Sequence, residues 1–329
     1  MRAITYTRFG PADDVLAFED LATPSPGPGE VLVRLATSGV NPSDVRARAG
    51  GRPGVTAPPF AKIIPHSDGA GVIEAVGAGV PSGRIGARVW IWNGQWQRAF
   101  GTAAQYIALP TEQAVDLPEG TSFEEGAVLG IPGLTAVHAV LGGGPVEGRR
   151  VLVSGGAGTV GRLAVQVAAA SGAEVLATAR GVAGLQAAQS AGAAHVFDYA
   201  ADDLAEQILA ATGGAPVDRI VEVEFGRNVE TSARIIAERG TIAAFGSAQD
   251  MTPVVPFYPL MFKAVTIDLV LVYLLSDAER RAAEGNLTGL LDKRALDVRI
   301  AEILPLTDCA RAHDIVATGA RAGSVLLSI

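Results

Sequence analysis

One stretch constrains this chain more than any other: Val151-Leu152-Val153-Ser154-Gly155-Gly156-Ala157-Gly158-Thr159-Val160-Gly161. Three apolar β-formers run into a glycine turn, and Arg162 to Ala168 then continues at helical spacing. Strand, glycine turn and helix is the context that a dinucleotide-binding fingerprint requires. Gly155 can take a turn conformation closed to side chains. Gly158 has no Cβ, so a pyrophosphate can approach the backbone there, and Gly161 lets the helix pack close to the strand. The N–H groups and positive dipole end at the helix start favour phosphate. The residues expected to meet a cofactor are therefore Gly155, Ala157, Gly158, Thr159, Val160 and Gly161. An ordinary tight strand-to-helix turn would use the same small residues, so the next segment matters.

That segment is a second strand, Glu174 to Thr178, ending in Ala179-Arg180-Gly181. An NAD site usually places an acid about twenty residues past the first glycine, where it meets the ribose 2′-hydroxyl. No acid stands at the end of this strand, and an arginine does. A guanidinium can pair with a 2′-phosphate that a carboxylate would repel. The pattern favours NADPH over NADH, with a solvated loop charge as the alternative reading of Arg180.

From Arg150 onward, strands and helices alternate. Strands are expected at 150–154, 174–178, 195–199, 219–223, 241–246 and 265–272, and helices near 160–171, 182–191, 202–212 and 228–238. Such alternation predicts an α/β fold with a doubly wound parallel sheet. Residues 1–122 read instead as a β-rich, partly closed domain, with strands at Glu30–Leu35, Ile63–Ile64, Gly71–Val76 and Arg88–Trp92. Helical patterns follow at 123–129 and 134–141. A tail with helix 276–291, strand 296–300, helix 307–318 and strand 324–329 is too small to stand alone. It is expected to complete the first domain, giving a β domain of 1–122 plus 273–329 and a nucleotide-binding domain of 123–272. Two long loops, 50–62 and 92–102, are functional candidates.

Composition excludes several classes. A net charge of −8 and a pI near 5.1 argue against a general nucleic-acid or anionic-membrane binder. The one cysteine, Cys309, permits no internal disulfide and no cysteine-based zinc site, and is expected to be a packed thiol. The N-terminus reads as a strand rather than a signal peptide, and Val265 to Leu275 is too short to span a bilayer. A soluble cytoplasmic protein without a metal site is the expectation.

Five motifs occur in a specific order: Gly39-Val40-Asn41-Pro42-Ser43-Asp44, Ser67 to Ile73, Gly130 to Ala136, the fingerprint 151–161, and Phe245-Gly246-Ser247. Together they resemble, almost end to end, the zinc-free quinone oxidoreductases of the medium-chain dehydrogenase/reductase superfamily, the zeta-crystallin group. The resemblance implies a Rossmann sheet plus a discontinuous GroES-like catalytic domain. It also implies NADPH, a dimer or tetramer, and hydride transfer to quinones or other α,β-unsaturated carbonyls. Ser67 stands where zinc-dependent relatives carry a metal-binding histidine, with His66 one residue off. Without a Lewis acid nothing lowers an alcohol's pKa, whereas a conjugated acceptor needs less activation. The nearest alternative is an enone or 2-enoyl reductase. A non-catalytic crystallin-like or RNA-binding protein is a further one, disfavoured by the acidic pI and the lack of a basic-aromatic patch.

The resemblance also assigns residues. Asn41 would lie near the nicotinamide, donating to a substrate oxygen or holding the cofactor ribose, unless it is only a turn residue before proline. Thr135 would contact the nicotinamide, or serve merely as a helix-start hydroxyl. Asp44 is expected to cap a helix. Arg46 replaces a tyrosine usual in the family and could favour anionic acceptors. Tyr199 would lie beside the 2′-phosphate together with Arg180; a basic residue common in relatives is Gly184 here. Phe245, Gly246 and Ser247 would line the nicotinamide pocket through backbone groups. Trp92 and Trp96 are candidates to stack on a planar acceptor, as are Phe257 and Tyr258 in a proline-rich loop, with loop packing or an oligomer contact as the alternative. His138 reads as helix packing, and no general-acid dyad is evident. The apolar strand 265–272 is expected at the sheet edge, covered by a second subunit in a homodimer.

Overall fold

The computed structural model describes every residue except Arg52, Pro53 and Ala320. Residues 52 and 53 belong to the expected 50–62 loop, so that part of it lies outside the described residues. The chain divides into two compact units, Met1–Ile131 with Val298–Ile329, and Pro132–Asp297.

The second unit is built on a six-stranded parallel sheet. Its order is His195–Asp198, Glu174–Ala179, Arg150–Val153, Val217–Glu222, Ile236–Ala244 and Thr266–Leu269. The chain enters at the middle, runs out to one edge, then returns and runs to the other. The strand order therefore reverses between 150–153 and 217–222, the switch point where such sheets open a crevice at their carboxyl ends. Helices Thr159–Ala170, Gly181–Ser190, Leu204–Ala211 and Phe225–Ile235 form the crossovers. Leu152, Leu176, Phe197, Ile208, Ile220, Val229, Ile235 and Ile242 form one buried core cluster. Each such side chain contributes about 1.5–3 kcal/mol of burial.

All six expected strands are present, and 266–269 is an edge strand as anticipated. It is shorter than expected, because Val272–Leu274 winds into a 3₁₀ turn. Val270 N–H still donates to Ala244 O at 2.8 Å.

The first unit centres on the long strand Glu30–Val40. Its seven-stranded sheet runs Ile300–Pro305, Ser324–Ser328, Glu30–Val40, Asp68–Val76, Arg88–Ile91 and Ala114–Asp116, with Tyr106–Pro110 paired to Glu30–Arg34. Arg2–Thr5 and Ala17–Asp20 pair separately. The tail thus completes this unit with two strands and helix Cys309–Thr318. The strand expected at 296–300 lies instead at 300–305, and Ile63 and Ile64 make only isolated bridges to Tyr6 and Phe100.

The boundaries also fall later than the sequence suggests. Helix Asp277–Asp292 stays with the second unit, where it packs on helix Leu134–Leu141. Its start is fixed by a capping box: Ser276 Oγ accepts from Glu279 N–H at 3.3 Å, and Glu279 accepts from Ser276 N–H at 2.8 Å. Asp297 then closes the unit, donating its N–H to Gln166 Oε1 and pairing its carboxylate with Arg162.

Candidate active site

The fingerprint turn sits at the switch point. Gly155 has φ of +70°, a conformation that excludes most side chains. Its N–H donates to Thr178 Oγ1 at 3.2 Å, and Gly156 N–H donates to Thr178 O at 2.8 Å. The turn is thereby clamped to the neighbouring strand. A Cβ on Gly161 would lie 2.1 Å from Gly155 O, so the helix can approach the turn only because that residue is glycine. Gly158 differs. A Cβ there would meet only Gly155 O, at 3.4 Å, so its outer side is open. No side chain caps helix 159–170, and its first-turn N–H groups have no partner within the helix. An open glycine below a row of backbone donors fits a pyrophosphate.

Arg180 and Tyr199 follow adjacent strands on the same carboxyl edge, and both are exposed. Tyr199 N–H donates to Ala179 O at 3.2 Å, which ties the two strand ends together. Asp198, missed by the sequence reading, lies between them. Its carboxylate accepts from Gly181 N–H at 3.3 Å and from Ala200 N–H at 3.0 Å. The spacing of the fingerprint points to the end of the second strand, whereas this acid ends the third. Its two oxygens hold the loops that carry Arg180 and Tyr199.

Phe245, Gly246 and Ser247 follow the fifth strand on that edge. Part of their backbone already serves the fold, since Phe245 N–H donates to Glu222 O at 3.0 Å and Gly246 O accepts from Phe225 N–H at 2.9 Å. Ser247 Oγ accepts from Gly226 N–H at 2.8 Å. Glu222 was not anticipated. It is buried at the end of strand 217–222 and accepts from Glu224 N–H and Asn228 Nδ2. Burial pushes its carboxyl above the usual range. Asn228 also donates to Ser154 Oγ at 3.2 Å, so this acid braces the residue that opens the fingerprint turn. Thr135, on helix 134–141 of the same unit, is buried. His138 packs in that helix, with Nε2 3.7 Å from Asp268.

In the first unit, Asn41 begins helix Pro42–Ala49 and is largely buried. Its side-chain N–H donates to Asp68 Oδ2 at 2.8 Å. Both oxygens of Asp68 also face Ile131 N–H, at 2.9 and 3.0 Å. Full burial pushes the Asp68 carboxyl well above its usual range, while the Ile131 N–H opposes the shift. Asp68 fixes the orientation of the Asn41 amide, and a Cβ on Gly130 would lie 2.2 Å from its Oδ1. Asp44 does cap the helix, three residues in: its carboxylate accepts from Asn41 N–H at 2.8 Å.

The remaining candidates scatter. Arg46 is exposed on helix 42–49. Trp92 is buried, and its indole N–H donates to Glu112 O at 3.2 Å, a packing arrangement. Trp96 is half-buried. Phe257 and Tyr258 lie on the short helix Phe257–Phe262 rather than in a loop; Pro259 stands in its first turn, where the missing N–H breaks no helical bond. Both are exposed, and Tyr258 stacks on Phe262.

Ser67 is buried, and its carbonyl accepts from Gly94 N–H at 2.8 Å. Among the described residues no group of three His, Cys, Asp or Glu side chains converges on Ser67 or Asn41; the one group that does converge is His66, Cys309 and His313. The residues around Ser67 therefore do not fit the zinc of zinc-dependent dehydrogenases. Cys309 is a buried thiol, but it packs against His313, one turn along its own helix, and against His66, which is 243 residues away in sequence.

The family model for alcohol dehydrogenase GroES-like domains matches residues 27–119, and that for zinc-binding dehydrogenases matches residues 159–285. The quinone oxidoreductase of Rattus norvegicus is 30% identical over 99% of this chain and 97% of its own. A mycobacterial protein solved with NADPH superposes with a TM-score of 0.87 at 28% identity, covering 100% of both chains. The Escherichia coli quinone oxidoreductase, also complexed with NADPH, gives 0.86 at 27% identity over 100% of both. With the nucleotide-binding sheet, the glycine turn and the GroES-like unit in place, the chain belongs to the quinone oxidoreductases of the medium-chain dehydrogenase/reductase superfamily.

Proposed function

We propose that the protein is an NADPH-dependent quinone oxidoreductase that works without a catalytic zinc. The observation that carries this reading is the glycine turn with its uncapped helix start, next to an exposed arginine and no acid at the end of strand 174–179. Gly155 to Gly161 would hold the pyrophosphate, and Arg180 with Tyr199 the 2′-phosphate. Bound NADPH supplies a hydride. The protein's part is to bind, orient and polarise. Asn41, held by Asp68, presents an amide of fixed orientation for the acceptor or ribose oxygen. Thr135 and the segment 245–247 would border the nicotinamide. No side-chain acid is required, since water can protonate the reduced product. The relatives named quinone oxidoreductase support the acceptor class. An anaerobic acceptor panel tests it: quinones should turn over faster than small enones at equal NADPH. The opposite order would reassign the protein as an enone reductase.

The second part of the proposal is a homodimer through the 266–269 edge. Leu269 is 73% and Phe262 77% exposed, alongside Phe257, Tyr258 and Leu274. Such an apolar edge is ordinarily covered.

A further inference from the structure

Cys309 and His313 stand one turn apart on helix Cys309–Thr318, His66 is brought to them from far away in sequence, and all three are fully buried. His66 Nε2 lies 2.9 Å from His313 Nε2 and 3.9 Å from Cys309 Sγ, and the three donor atoms all lie within 4.8 Å of one another. Neither the cofactor turn nor the Asn41 site uses them.

The hydrogen bonds fix where the protons are. Thr102 Oγ1 lies 2.6 Å from Asp68 O, which can only accept, so Thr102 donates there. Its proton is then committed, so Ser38 Oγ, 2.9 Å away, donates to Thr102. Ser38 in turn must accept from His66 Nδ1–H, also at 2.9 Å. With Nδ1 carrying that proton, Nε2 offers the lone pair that accepts from His313 Nε2–H at 2.9 Å and faces the thiol. A hydroxyl-anchored imidazole with its other nitrogen bare is the form in which histidine ligates a metal. His66 also holds a left-handed backbone, φ +76°, unusual for a residue with a side chain.

We propose that His66, Cys309 and His313 form a three-coordinate site for monovalent copper. With metal–nitrogen and metal–sulfur lengths of about 2.0 and 2.3 Å, a trigonal site needs N···N near 3.5 Å and N···S near 3.8 Å. The His66–Cys309 separation already matches, and the two rings need to part by roughly 0.6 Å. Thiolate plus two imidazoles suits a soft cation. Two features select the monovalent ion. Among the described residues no fourth His, Cys, Asp or Glu joins the group, whereas structural zinc takes four ligands. A thiolate with a monovalent ion is neutral. A divalent ion would leave a net charge in a buried apolar cluster that includes Cys309, Ile64, Ala103, Ala104 and Ala312. Binding replaces the S–H proton with the ion and releases one proton per copper, while the proton on His313 moves from Nε2 to Nδ1.

The test is an anaerobic copper(I) titration of the full-length protein, native and refolded with the ion, against a competing copper(I) chelator. The expected result is one copper per chain surviving desalting, one proton released, and an X-ray absorption spectrum with one sulfur and two nitrogen neighbours. Cys309→Ser and His313→Asn should each weaken retention at least about 100-fold, and Ser38→Ala about 10-fold as an outer-shell change. The spectrum of the wild type stands even if a variant fails to fold. No copper retained after refolding, or undiminished retention by folded Cys309→Ser, would overturn the site. One equivalent of zinc held in preference to copper would overturn the choice of ion.

Discussion

Two glycines of one turn should respond to the same added methyl group in opposite ways. At Gly161 a Cβ would lie 2.1 Å from Gly155 O and 2.7 Å from Gly155 C, so the turn or the helix must move by more than an ångström. Both are backbone atoms clamped by Thr178, so relief is expensive. Overpacking of this kind costs about 1–3 kcal/mol, and Gly161→Ala should lower the urea midpoint of the apo protein accordingly. At Gly158 the backbone has φ −74° and ψ 168°, open to alanine, and the nearest atom to a Cβ is at 3.4 Å. Gly158→Ala should therefore leave apo stability within about 0.5 kcal/mol. Its methyl would stand on the open side, where the pyrophosphate is proposed to rest. NADPH binding should weaken at least tenfold, or about 1.4 kcal/mol. Urea unfolding and calorimetric titration of both variants measure all four quantities. Wild-type affinity in Gly158→Ala would refute the phosphate cradle, and wild-type stability in Gly161→Ala would refute the packing argument.

Three further outcomes follow from the structure. Leu269→Lys should yield a stable monomer by light scattering, whereas the wild type should show twice the 33.6 kDa chain mass; Val270→Pro is a poorer probe, because Val270 N–H already bonds within its own sheet. Asp68 binds its proton more tightly folded than unfolded, so its contribution is present at low pH and is lost as pH rises above the ordinary value of 3.8. Wild type should thus lose stability relative to Asp68→Asn as pH increases, and a pH-independent difference in urea midpoint would contradict the buried-acid account. Dialysis of the native enzyme against a strong chelator should leave turnover intact, and a loss restored by zinc would contradict the zinc-free reading.

The nucleotide-binding unit was legible because short β-forming stretches alternate with helical patterns between turn residues, a local signal. The glycine pattern likewise names its own geometry. The β unit was less so. Strand 300–305 was displaced because Leu296 and Val298 look like strand residues but are buried in the connection to it. The domain boundary was misplaced because its cause, Asp297 held by Gln166 and Arg162, spans 131 and 135 residues. Among the proposed site residues, Arg180 is indicated by its position at the end of one strand, while Asp198 depends on a neighbouring strand. Trp92 shows the reverse error: an aromatic in a loop invites a stacking role, but its partner, Glu112 O, is visible only in three dimensions. Of the His66, Cys309 and His313 group, the sequence shows only Cys309 and His313 at helical spacing, since 243 residues separate His66 from Cys309.

This protein is proposed to move a hydride from NADPH to a quinone and to select NADPH through Arg180. The most direct test is the ratio of kcat/KM for NADPH over NADH with a quinone acceptor, in wild type and in Arg180→Ala. One hydrogen-bonded charge pair contributes about 1.5–3 kcal/mol. The wild-type ratio should therefore exceed about 10, and Arg180→Ala should lower it by roughly ten- to a hundredfold while leaving the NADH value nearly unchanged. No turnover with any quinone, or a ratio that Arg180→Ala does not alter, would contradict the account.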